Sequence, residues 1–83
     1  MRLNLEKNYS FTLDLHSMQA SEAKKYLDQQ LSDAPGELRE IEVIHGYRSG
    51  TALMKLVRNS YKHPRLKSKI IGLNQGSTTY ILK

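Results

Sequence analysis

The chain contains no cysteine, which excludes disulfides and thiolate metal sites. No apolar run approaches the ~18 residues of a membrane span. The opening stretch, Met1-Arg2-Leu3-Asn4-Leu5-Glu6-Lys7, lacks the apolar core and small-residue cleavage site of a secretory signal. A transmembrane helix and a leader are therefore not expected, and the expected compartment is the cytoplasm, with no membrane partner. Internal repeats and low-complexity segments are absent too. The most informative absence is of acid. All eight Asp and Glu residues lie at or before Glu42, and none follows.

That absence splits the charge. Residues 1–42 carry five bases against eight acids, whereas residues 43–83 carry eight bases alone: Arg48, Lys55, Arg58, Lys62, Arg65, Lys67, Lys69 and Lys83. A one-sided field of this kind attracts polyanions. A solvated basic face without a partner is the plainer alternative. A chain of 83 residues is one domain. It buries roughly 60–65% of its unfolded surface, enough for one thin core.

Two stretches share a layout. Phe11-Thr12-Leu13-Asp14-Leu15-His16 alternates and ends on histidine. Glu40-Ile41-Glu42-Val43-Ile44-His45 does the same, followed by Gly46-Tyr47-Arg48-Ser49-Gly50. A helical pattern follows each. The first runs from Gln19 to Ser32, with Ala20, Ala23, Leu27 and Leu31 as its apolar stripe. The second runs from Thr51 to Tyr61, with Leu53, Met54, Val57 and Tyr61 inward, and ends at His63-Pro64. Lys69–Leu73 and Thr78–Leu82 read as a closing hairpin around Asn74-Gln75-Gly76. Residues 1–9 read as an arm, and 10–83 as the domain.

The order is βαβαββ. Two βα units imply parallel strands with right-handed crossovers, and the hairpin adds an antiparallel strand. Two helices cover only one face of four strands. The fold class is α/β, an α+β two-layer sandwich with a four-stranded mixed sheet and one sheet face open. Strand ends that feed helices share one edge, where ligands bind. His16, His45, Asp14 and the Gly46–Gly50 loop gather there.

Leu13-Asp14-Leu15-His16 and His45-Gly46-Tyr47-Arg48-Ser49-Gly50 resemble the two marks of the Smr (small MutS-related) domain, a Leu-Asp-Leu-His strand end and a His-Gly-x-Gly-x-Gly loop. The likeness covers roughly Thr12 to Lys83. Ser17 stands where the family usually has glycine, and Arg48 where the loop's middle glycine is expected. The resemblance implies a fold similar to the C-terminal domain of translation initiation factor three, with strand order 1-2-4-3. It also implies nucleic-acid binding and, in many members, DNA or RNA endonuclease or nicking activity. As a stand-alone domain, the chain would need separate partners for a role in mismatch repair.

Phosphodiester cleavage needs a base, an acid and positive charge on the phosphoryl group. Imidazole serves as either acid or base near neutrality. The expected catalytic residues are Asp14, His16 and His45. The expected nucleic-acid contacts are Gly46, Tyr47, Arg48, Gly50, Lys55, Arg58, Lys62 and Arg65. Asp14 and Glu42, on the open parity of adjacent strands, are the candidate ligands if a divalent cation takes part. Strand parity places His45 with Ile41 and Val43, toward the helices, and His16 on the open face. The two converge only if the chain turns at His45. The alternatives are a non-catalytic nucleic-acid module and a protein-interaction module, linked to DNA repair, recombination or RNA handling. A monomer is the default state.

Overall fold

The computed structural model describes residues 10–46 and 51–83. The expected arm, and Tyr47, Arg48 and Gly50, lie outside the described residues. The elements are β1 (Ser10–Asp14), α1 (Ala20–Asp33), β2 (Glu40–Ile44), α2 (Ala52–Lys55) continuing into a π-helical turn (Leu56–Ser60), β3 (Leu66–Ile70) and β4 (Ser77–Leu82). They make a four-stranded sheet of order β1-β2-β4-β3. β1 and β2 are parallel, with Leu13 beside Val43 and Asp14 beside Ile44. β4 runs antiparallel to both β2 and β3. Among the described residues no helix is long and apolar enough to cross a membrane.

Alternation places the core. Leu13, Leu15, Ile41, Val43, Tyr80 and Leu82 from the sheet side meet Ala23, Leu27 and Leu31 of α1 and Val57 and Tyr61 of the second helix, all buried. Thr12, Asp14, Glu40 and Glu42 are exposed. Phe11 shares the core parity yet is 51% exposed, because it lies on an edge strand.

Two strand boundaries differ from expectation by two residues or more. β1 stops at Asp14 rather than His16. The Asp14 carboxylate accepts the backbone N–H of His16 at 3.1 Å, which turns the chain out of the ladder. β3 lies three residues earlier than Lys69–Leu73. Its register is set by β4, which pairs Leu66 with Leu82 across a bulge before Ser68. The apolar run Ile70-Ile71-Gly72-Leu73 consequently falls largely in the hairpin loop.

The second helix departs from α geometry. Tyr61 N–H reaches back five residues to the Leu56 carbonyl at 2.8 Å. An α-turn would have used the Val57 carbonyl. That carbonyl instead accepts the buried Tyr80 hydroxyl at 2.8 Å. The Tyr61 and Tyr80 rings stack nearly parallel, 5.9 Å between centroids. The Tyr61 hydroxyl donates to Asp28 of α1 at 2.7 Å, tying the helices together. Leu53 and Leu56 pack against the core, while Met54 stays half-buried outside it.

Candidate functional site

The end of β1 presents a histidine held by its own strand. Asp14 and His16 are two residues apart, and the turn between them brings their side chains together. Asp14 Oδ1 lies 2.6 Å from His16 Nδ1. A carboxylate only accepts, so Nδ1 carries the proton and Nε2 is left free. The hydrogen bond from His16 holds the Asp14 carboxyl below its ordinary value of 3.8. The imidazole is 62% exposed.

His45 has the opposite environment. Parity carries it inward with Ile41 and Val43, and only 3% of it is exposed. Nδ1 lies 2.8 Å from the Gly46 carbonyl, and Nε2 lies 3.0 Å from Thr78 Oγ1. The carbonyl must accept, so Nδ1–H donates to it and Nε2 accepts the Thr78 proton. Arg58 Nε–H donates to the same hydroxyl at 2.8 Å. Burial pushes the His45 imidazole below its ordinary 6.5, and the Arg58 charge acts the same way. His45 is therefore a neutral group with both nitrogens committed inside the fold.

Backbone, rather than imidazole, links the two strand ends. Gly46 has φ +74°, and a Cβ there would stand 3.5 Å from His16 Cβ. The N–H groups of His45 and Gly46 both donate to the Gly76 carbonyl at 2.9 Å. The β3–β4 loop is thereby tied to the start of the glycine-bounded loop. His16 and His45 line a cleft of about 650 Å³ with Ser17 and Gln19 before α1 and Thr51 and Ala52 at the start of α2. The cleft lies at the carboxyl ends of the two parallel strands, as expected of ligand sites in such sheets.

The basic residues divide into two kinds. Lys55 and Lys62 are exposed. Arg58 spends its guanidinium on Thr78 and on the Asn74 and Ser77 carbonyls, at 3.0 and 2.9 Å. Arg65 donates to the carbonyls of Leu31, Ala34 and Pro35, where α1 ends. Both arginines act as struts.

Glu42 stands opposite Thr12, diagonal to Asp14 on the neighbouring strand. Among the described residues no group of three or more His, Asp or Glu side chains gathers to hold a metal. The two carboxylates alone do not make a closed cation site.

Thr78 is the site residue missing from the sequence-based set. Its signal was a polar residue at a core-parity position, between Val43 opposite and Tyr80 two along. Gly76, whose carbonyl accepts the His45 and Gly46 amides, carried no such mark.

The curated proteins contain no match to this chain. Among solved structures, the crystal structure of the Smr domain of Thermus thermophilus MutS2 is similar, with a TM-score of 0.75 and 24% identity. The alignment covers 87% of this chain and 96% of that one, a likeness of fold. The family model for the Smr domain matches residues 13–76, which run from β1 through the cleft to Gly76. With more than half of its length matched, and with the Asp14–His16 and His45-Gly46 strand ends at one cleft, the chain belongs to the Smr domain family.

Proposed function

We propose that this Smr domain binds nucleic acid at the cleft and cuts phosphodiester bonds there, with His16 as the catalytic imidazole. The family's association with nucleic-acid binding and nuclease activity supports the class of reaction. The observation that carries the residue assignment is the Asp14–His16 pair, which leaves Nε2 free at the cleft. In this reading Nε2 takes the proton of the attacking hydroxyl. The Asp14 carboxylate orients the ring and stabilises the imidazolium that forms. Lys55, and Arg48 of the glycine-bounded loop, supply positive charge to the phosphoryl group. His45 acts as a positioning residue: its buried hydrogen bonds hold Gly46, and Gly46 abuts His16.

The test is a nicking assay on supercoiled plasmid beside a structured RNA, with and without divalent cations. His16→Ala is expected to lose about 10²-fold or more, the usual size of general acid–base effects. RNA carrying a 2′-deoxy sugar at the cut distinguishes the nucleophiles. If only ribose is cut, the 2′-hydroxyl attacks and the product is a cyclic phosphate with a free 5′-hydroxyl. If deoxyribose is cut and a chelator stops it, water attacks with a cation that Asp14 and Glu42 would help to hold. Full activity in both His16→Ala and Asp14→Ala would sink the catalytic assignment.

One observation favours a second reading, a nucleic-acid module that does not cut. With both His45 nitrogens committed, the described residues bring one free imidazole to the cleft rather than an acid–base pair. Binding without any cleavage in the same assay would establish that reading.

A further inference from the structure

Apolar residues on a protein surface are usually scattered singly. Here the described residues include four large exposed ones: Phe11, Ile70, Ile71 and Leu73. Three of them fall within four positions at the end of β3 and the start of the hairpin loop. Leu73 is 101% exposed, so none of the described residues covers its side chain. Gly72 beside it has open space where a Cβ would be.

The tip stands on a tied base. Asn74 Oδ1 accepts the Gly76 N–H at 2.8 Å, closing the turn. Arg58 holds the Asn74 and Ser77 carbonyls. Gly76 in turn receives the His45 and Gly46 amides. Three residues of chain span at most ~11 Å, so Leu73 stands within ~20 Å of His16, on the order of six base steps.

We propose that Ile71 and Leu73 form an apolar wedge that enters the base stack of a nucleic acid held in the cleft, which would give the domain a preference for distorted over regular duplex. This rests on the reading of the cleft as a nucleic-acid site. The base of the tip carries cations that draw a polyanion to it: Arg58 bonds the Asn74 and Ser77 carbonyls, and Lys69 precedes Ile70 on β3. Apolar wedges set among cations are how many architectural proteins unstack and kink a duplex. Two or three side chains fall far short of the roughly 1,200 Å² of a specific protein interface, but they match one opened base step. A bulge or branch is already unstacked, so insertion there costs less than in a matched duplex.

The test uses matched duplex and the same duplex with a two-nucleotide bulge, each labelled with 2-aminopurine. The wild-type chain is expected to bind the bulged duplex more tightly and to brighten its probe. Leu73→Ser is expected to melt like wild type and to bind matched duplex as well, but to lose about tenfold on the bulged one, the size expected of burying one leucine side chain. The chain has no tryptophan, so Leu73→Trp supplies a single reporter. It should keep the preference, and its emission should be quenched on bulged duplex. An unchanged preference in Leu73→Ser, or an unquenched Trp, overturns the proposal. So does a Leu73→Ser effect confined to self-association or to binding of anionic vesicles. If the wild type binds both duplexes equally, the wedge alone falls. If it binds no nucleic acid, the reading of the cleft falls with it.

Discussion

The Thr78 hydroxyl donates to the Nε2 of His45 across 3.0 Å, and apart from the tyrosines they are the only two polar residues among the fully or nearly fully buried side chains described. The same oxygen accepts from Arg58, so one hydroxyl joins β4, the end of β2 and the second helix. Thr78→Val keeps the shape and removes the oxygen, leaving His45 Nε2 and Arg58 Nε without their partner. We expect a loss of about 1–3 kcal/mol in chemical denaturation. Thr78→Ser, which restores the hydroxyl, should recover most of it.

Burial of His45 has a pH consequence of definite sign. Its folded-state pKa lies below 6.5, so the unfolded chain takes up the proton first as pH falls. The stability contributed by the neutral ring is full above about 6.5 and is lost progressively below it. Melting temperatures between pH 7.5 and pH 5 should therefore fall, and the fall should be shallower in His45→Gln. Asp14 acts in a lower window. Its carboxyl is held below 3.8, so its contribution is present above that value and lost beneath it. Asp14→Asn should flatten only that acid limb.

Arg65 and Lys62 should separate stability from binding. Arg65→Ala uncaps three carbonyls at the end of α1 and should cost about 1–2 kcal/mol. Lys62→Ala should leave the melt unchanged and weaken nucleic-acid binding. If all the basic residues from 48 to 65 met phosphates, the slope of log K on log salt would be about −4 to −5 on duplex. With Arg58 and Arg65 turned inward, about −3 is expected. A salt-independent affinity would refute electrostatic binding.

Gly46→Ala places a side chain at φ +74°, which costs roughly 1–2 kcal/mol for a residue with a Cβ. The space itself is adequate, since the new Cβ meets His16 Cβ at 3.5 Å. The loop should relax away from His16, and any cleavage rate should fall further than the stability loss explains. A rate that tracks only the folded fraction would remove Gly46 from the positioning role.

Periodicity by itself determined the element order, the span of β2 to within a residue, the open sheet face and the opposite facing of His16 and His45. Alternation of side is a property of neighbouring residues, so Leu13-Asp14-Leu15-His16 and Ile41-Glu42-Val43 display it without reference to anything distant. The placement of β3 was not legible, because an edge strand takes its register from the strand beside it. Ile70-Ile71-Gly72-Leu73 looks like a strand core until β4 pairs with Leu66 instead. The hydrogen-bond partners of Arg58, Arg65 and His45 were decided only by the tertiary structure. As residues in a basic half they read as phosphate contacts, and His45 reads as a catalyst. What a long polar side chain bonds depends on which acceptors the fold brings within about 3 Å. Thr78 comes from 33 positions after His45, and the end of α1 from about 30 before Arg65.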